Sequence, residues 1–290
     1  MDEPDFTNLS AARVAIAGLG LMGGSLALAL RGRCRELVGV DSSPDVLAVA
    51  CERGLVKRAA TLSEAARSCD VLVLAAPVRG ILAQLDELRR LRPPARPPIV
   101  LDLGSTKSAI AQAMNDLPPG YDPIGGHPMC GKEVSGLAHA EPGLFQNKVF
   151  VLVPLARTSP AALALASALA AAIGARPWVL APEQHDRLAA VSSHLPYLAA
   201  AALVGTAHAA GDDQVWTMAA SGFRDTSRLA ASDVTMMLDI LLTNRIALLE
   251  TLARYRAELD ALMGLLEAGE AEALRAGLTA IQAERRAHFT

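Results

Sequence analysis

The sequence predicts an α/β fold, with a doubly wound sheet in the N-terminal part and an all-helical C-terminal part. Two observations predict it. Between Arg13 and Leu180 short runs of Val, Ile and Leu alternate with helix-like segments, and after Pro182 the strand signals stop. At 290 residues the chain is longer than one core usually runs, so a domain boundary is expected there, giving segments 1–180 and 181–290.

The expected strands are Val14–Ala17, Leu37–Val40, Val71–Ala75, Ile99–Leu103 and Val149–Val153, with Trp178–Leu180 a weaker last member. Each is short and nearly all apolar, as parallel strands covered on both faces should be. Pro93, Pro94, Pro97 and Pro98 mark a loop before Ile99. Past Pro182 the chain reads as helices broken near Gly211 and Gly222. In the last of these, Leu248, Leu252, Tyr255, Leu259, Leu262 and Leu266 recur at spacings of four and three, which puts them in one seam. Leu249 and Met263 add a second apolar stripe, so a subunit interface is expected.

Composition narrows the class. The chain is 52% hydrophobic and 20% charged with a net charge of −3, which fits a folded protein and offers no basic patch for nucleic acid. Cys34, Cys51, Cys69 and Cys130 are widely spaced, so neither a metal site nor a disulfide framework is expected and a reducing compartment is. Met1–Asp5 lacks a signal layout and the Ala-rich run Ala161–Ala175 is too short for a bilayer, so no membrane partner and a cytoplasmic location are expected.

Directly after the first strand comes Gly18-Leu19-Gly20-Leu21-Met22-Gly23, a G-x-G-x-x-G opening into helix. Its glycines suit a tight turn, close approach to a pyrophosphate and close helix–strand packing, while the helix N-terminus offers free N–H groups to phosphate. Asp41, at the end of the second strand, is placed to accept ribose hydroxyls and to repel an extra phosphate, so the expected cofactor is NAD and the domain Rossmann-type. Ala76, Pro77 and Val78, after the strand ending at Ala75, are expected to line the same dinucleotide.

Two further segments follow expected strand ends: Asp102-Leu103-Gly104-Ser105-Thr106-Lys107, and Gly125-Gly126-His127-Pro128-Met129-Cys130-Gly131-Lys132-Glu133. Ligands of open α/β sheets bind at such ends. Glycines before His127 and a proline after it predict an imidazole held on a stiff loop, with the pKa range a base needs to accept a hydroxyl proton. Ser105 is placed to orient that hydroxyl or the ring. His139, His185, His208 and His288 are read as structural. In the helical part, Ser221-Gly222-Phe223-Arg224-Asp225-Thr226-Ser227-Arg228 carries two guanidinium groups suited to a carboxylate.

These segments resemble those of the prephenate and arogenate dehydrogenases of tyrosine biosynthesis. The resemblance rests on GLGLMGGSLA at Gly18–Ala27, DLGSTK at Asp102–Lys107, GHPMCGKEVSG at Gly126–Gly136, QHDRLAAVSSHL at Gln184–Leu195 and GFRDTSR at Gly222–Arg228. LFQNKVFVLVP at Leu144–Pro154 and DILLTNR at Asp239–Arg245 extend it over nearly the whole chain, in order. It implies an NAD-dependent oxidative decarboxylation of a small dicarboxylate, prephenate or arogenate, by a homodimer without metal. It further implies that His127 accepts the ring hydroxyl proton, Ser105 bonds near that hydroxyl and Arg228 grips a carboxylate. His194, Tyr197, Arg224 and Met237 are then expected beside the substrate. The family pattern is departed from at Tyr197, where it often has His, at Met237, where it commonly has Trp, and at Val234, where it commonly has Pro. No added regulatory or mutase domain is expected.

Two other readings are distinguishable. A β-hydroxyacid dehydrogenase would use a lysine of its second domain, and this chain has none after Lys148. A non-catalytic sensor of NAD redox state shares the fold and would tolerate loss of His127.

Overall fold

A computed structural model describes residues 9–92, 94, 96 and 98–289. Pro93 and Pro97 of the expected proline loop, and the acidic Met1–Asp5 segment, lie outside the described residues. The strands are β1 (Arg13–Ala17), β2 (Glu36–Val40), β3 (Arg58–Ala59), β4 (Val71–Leu74), β5 (Ile99–Asp102), β6 (Asp122–Pro128), β7 (Val149–Pro154) and β8 (Arg176–Val179). Among them run helices α1 (Leu21–Leu30), α2 (Pro44–Glu52), α3 (Leu62–Ser68), α4 (Val78–Arg90), α5 (Ser108–Asn115) and α6 (Pro160–Ala172). Then follow α7 (Pro182–Ala189), α8 (Leu195–Ala209), α9 (Gln214–Met218), α10 (Ser221–Ser227), α11 (Val234–Thr243), α12 (Arg245–Ala268) and α13 (Ala271–His288).

The strands form one sheet in the order β3-β2-β1-β4-β5-β6-β7-β8. Alternation along each strand builds two cores. Val14, Ile16, Val71, Val73 and Leu101 pack with Leu26 and Leu30 of α1 and Leu165 and Leu169 of α6 on one face. Ala15, Ala17, Leu72, Leu74 and Val100 pack with Leu85 and Leu88 of α4 and Ile110 and Met114 of α5 on the other. Order, layers and glycine loop are those of the expected Rossmann-type fold, and its ligand crevice lies at the carboxyl ends of the strands.

Three expectations change. The sheet is not all parallel: β7 runs antiparallel to β6, His127 facing Val151. The connection between them has only a short 3₁₀ turn at Leu137–His139, with no crossover helix to return the chain in parallel sense. His127 therefore sits in strand β6 rather than on a loop, a strand disguised in sequence by two glycines and two prolines of low β-propensity. Gly222 lies inside the first turn of α10, and the break falls at Ala219–Ala220, the latter being the α10 N-cap with extended backbone.

By contact density the chain divides into two compact units, Met1–Arg245 and Ile246–Thr290. Residues 182–245 stay in the first unit, where α7 and α11 are hydrogen-bonded to helix starts and a loop at the sheet's carboxyl edge. Asp186 accepts the N–H groups of Lys107 and Ser108 at 2.7 and 2.8 Å, Asp239 binds Arg79, and Thr243 meets Thr106 at 2.8 Å. The expected seam lies along one helix, α12, but Leu259 and Leu266 of that seam, and Leu249 and Met263 of the second stripe, are exposed in the single chain.

The helical run Pro182–Ala209 is, by length and apolarity alone, sufficient to cross a membrane, a feature the Ala161–Ala175 comparison misses. Its first half holds the buried His185, Asp186 and His194. Between α7 and α8 the run widens into a π turn, in which the Leu195 N–H reaches back to the Ala190 carbonyl. Pro196 follows and has no N–H to continue an α-helical ladder there.

Candidate functional site

A cleft of about 740 Å³ opens at the carboxyl edge of the sheet. The glycine loop forms one wall, through Gly20, Leu21 and Met22, with Ala76, Pro77 and Val78 beside it. Ser105 and His127 lie in the floor, and Tyr197, Arg228 and Met237 come from the helical elements. Residues far apart in sequence thus meet around one space, and the reason is local at each point. β1 delivers the glycine loop, β5 delivers Ser105, β6 delivers His127, and the hydrogen bonds of α7 and α11 hold the far wall.

The glycine loop fits a dinucleotide. Gly18 has φ +104°, and a Cβ there would come within 2.9 Å of the Ala75 and Ala76 backbone. At Gly23 a Cβ would stand 1.8 Å from the Gly18 carbonyl oxygen, so α1 can start this close to β1 only without a side chain. Gly20, the α1 N-cap, faces open space, and no side chain caps the helix. Its unpaired N–H groups and positive dipole end are therefore available to a phosphate. Asp41 holds the loop from beneath, accepting the Leu19 N–H at 2.7 Å through one oxygen and the Ser43 N–H at 2.9 Å through the other. Gly18, Leu19, Gly23 and Asp41 are not in the cleft lining; they shape and support the loop that is.

Beneath the floor lies a buried ion pair. The Lys107 ammonium meets the Asp102 carboxylate, both side chains being at most 1% exposed. Asp102 also accepts the Gly104 N–H at 2.7 Å and the Gly126 N–H at 3.1 Å, and Lys107 donates to the Gly126 carbonyl at 2.7 Å. The pair pins the residues preceding Ser105 and His127. Burial pulls the Lys107 pKa below its ordinary value, with Asp102 opposing the shift.

His127 is backed by a second histidine. Its Nδ1 lies 2.8 Å from His185 Nε2, and His185 Nδ1 lies 2.9 Å from Asp186 Oδ1. Burial, followed by the electrostatic influence of the neighbouring His185, Lys107 and His194, drives the His127 pKa well below the ordinary histidine value. The ring is thus an unprotonated base at neutral pH. Burial works against the Asp186 carboxylate, but hydrogen bonds from His185, Ser108 and Lys107 outweigh it and hold the pKa low. His185, read from sequence as structural, is instead in direct contact with the candidate base. The signal lay in Gln184–Leu195, but nothing in that segment says which face of α7 looks at β6.

Chemically, the cleft can hold a dinucleotide at the glycine loop, offer a base at His127 and offer a cation at Arg228. Residues 26–179 match the family described as prephenate dehydrogenase, nucleotide-binding domain, and residues 181–280 match prephenate dehydrogenase, dimerization domain. The chain belongs to the prephenate dehydrogenase family. It is 33% identical to a prephenate dehydrogenase of Bacillus subtilis over 267 residues, covering 90% of this chain and 72% of that protein. Its fold matches the arogenate dehydrogenase of Synechocystis with a TM-score of 0.81 at 33% identity, covering 96% of this chain and 100% of that one. The prephenate dehydrogenase of A. aeolicus, solved with hydroxyphenyl propionate and NAD+, matches with a TM-score of 0.86 at 29% identity, covering 97% and 99%.

In this prephenate dehydrogenase family member two expected substrate residues are not in the cleft lining. His194 is 1% exposed, its Nδ1 lying 3.1 Å from Asn244 Nδ2, and it stands behind the wall because the π turn rotates it inward. Burial lowers its pKa to about 4. Arg224 is exposed on α10 and also lies outside the lining. Arg228 lines the cleft and is ion-paired with Glu133, also of the lining. Sequence reasoning gave no role to Glu133, Asp186 or Asn244. The exposed apolar helices match a dimerization domain, the kind of surface that a second chain would cover.

Proposed function

We propose that the protein catalyses NAD-dependent oxidative decarboxylation of prephenate or arogenate, as a cytoplasmic homodimer, in tyrosine biosynthesis. Residues 1–180 bind the nucleotide, and residues 181–290 complete the substrate site and dimerise. The observation that carries this reading is the single cleft in which His127, Ser105 and Arg228 meet the end of the glycine loop.

NAD, when bound, supplies a hydride acceptor for the ring carbon that bears the hydroxyl. The chain's own residues do the rest. His127 accepts the hydroxyl proton at the ring nitrogen left free by His185, and Ser105 orients the hydroxyl. As that carbon becomes electron-poor, the bond to the ring carboxylate breaks and its electrons enter the ring, which becomes aromatic as carbon dioxide leaves. Arg228 exchanges Glu133 for a substrate carboxylate and fixes the ring. Asp41 favours NAD over its phosphorylated form by charge repulsion. Tyr197 and Met237 shape the wall that the substrate side chain meets.

The test is to incubate the folded protein with NAD and each of prephenate and arogenate and follow NADH. NADH formation with at least one substrate supports the reading, and no reduction with either refutes it.

A further inference from the structure

We infer that His185 and Asp186 are positioning residues that fix the tautomer of His127, a role resting on the base function proposed above. The inference starts from donor and acceptor counting. An ionised carboxylate only accepts, so the 2.9 Å contact between Asp186 Oδ1 and His185 Nδ1 places a proton on His185 Nδ1. A neutral imidazole carries one N–H, so His185 Nε2 is then a bare acceptor. The 2.8 Å contact with His127 Nδ1 is satisfied only if His127 donates there. His127 Nε2 is left without a proton, as the nitrogen with a lone pair for the cleft.

Asp186 is built for this role. It is 4% exposed, and the backbone N–H groups of Lys107, the α5 N-cap, and Ser108 each bond one of its oxygens. The α5 N-terminus adds its positive dipole end, which favours the charged carboxylate. The carboxylate cannot rotate without abandoning those bonds. Asn244 closes the arrangement from α11, donating to the Asp186 carbonyl at 2.7 Å.

The titratable and charged groups facing His127 come from several elements. Asp102 of β5 and Lys107 before α5 lie beneath it, His185 and Asp186 lie behind it, and His194 of the π turn lies beyond them. Lys132, Glu133, Arg228 and Asp233 share the cleft in front. The cations would each oppose an imidazolium at His127. Its Nδ1–H bond to His185, itself polarised by Asp186, favours taking up the hydroxyl proton. When His127 Nε2 gains that proton, the Nδ1–H bond to His185 is kept, so the transfer requires no rearrangement.

Two variants and one spectroscopic measurement test this. Histidine ¹⁵N spectra of the whole protein, with His127→Asn identifying the His127 signals, should show a pyridine-type Nε2 and a pyrrole-type Nδ1 above neutral pH. His185→Leu removes the acceptor, and the free ring then favours a proton on Nε2; the two signals should exchange character. In turnover, His185→Leu should lose roughly 100-fold or more in kcat, the usual range for a general base, with substrate KM within about threefold. His185→Gln, whose amide oxygen can accept from Nδ1–H, should recover much of that loss. A pyrrole-type Nε2 on His127 in the wild type, or equal kcat losses in the Leu and Gln variants with an unmoved spectrum, would overturn the inference. The spectra need no substrate, so an absence of NADH formation with a correct tautomer would refute the proposed reaction and leave the positioning role standing.

Discussion

Replacing Lys107 by Met isolates the buried ion pair beneath the cleft. The change keeps length and apolar stem but removes the ammonium, so the Asp102 carboxylate, 0% exposed, loses its counter-charge while its bonds from Gly104 and Gly126 remain. Removing one partner of a buried pair costs roughly 3–5 kcal/mol, because the remaining charge is left uncompensated. Asp102→Asn should cost a similar amount by stranding the ammonium. The double variant Asp102→Asn/Lys107→Met carries neither charge of the pair and should fall short of the summed losses by roughly 1–3 kcal/mol, the coupling expected of contacting residues. Urea unfolding at one fixed protein concentration reads these differences. With a slope of about 3 kcal/mol per molar, a 4 kcal/mol loss moves the midpoint down by roughly 1.3 M. The same variants should lose turnover, since the loop that carries Ser105 and the strand that carries His127 both hang on this pair. Single-variant shifts below about 0.3 M, or losses that simply add in the double variant, would refute the reasoning.

Three further outcomes are expected. Gly23→Ala should abolish measurable NAD binding by calorimetry, since its Cβ would stand 1.8 Å from the Gly18 carbonyl and α1 would have to move off the strand. Arg228→Ala should raise the substrate KM by roughly 10- to 150-fold, the equivalent of one charge-assisted hydrogen bond at about 1.5–3 kcal/mol, while NAD affinity stays within a few-fold. Acid should destabilise the fold before its carboxylates titrate: His194 and His127 are held neutral, with pKa values below that of the unfolded chain. Their contribution is complete above pH 6.5 and is lost as pH falls, for His194 down to about 4. At 1.36 kcal/mol per unit, His194 alone accounts for on the order of 3 kcal/mol by the end of that window, and urea midpoints between pH 7 and 4 would expose a flat profile if burial were not the cause.

What the sequence determined by itself is what short-range backbone rules write. Directly after the first strand, Gly18 to Gly23 encode a tight turn and a helix start within six residues, and Asp41 completes the signature one strand later. Apolar runs such as Val71–Leu74 announce buried strands because a doubly covered strand has no face left for polar residues. Strand β6 escaped this reading because Gly125, Gly126 and the flanking prolines fit a strand only by virtue of its neighbours, β5 and β7. Tertiary structure alone decided the partners of His127. His185 is 58 positions away, and the contact exists because Asp186 seats α7 on the N-terminus of α5. It also decided that His194 turns inward while Arg228 reaches the cleft, since a π turn and a helix start set those directions. Residue type fixes which chemistry is available; only the packing of distant elements fixes which atoms meet.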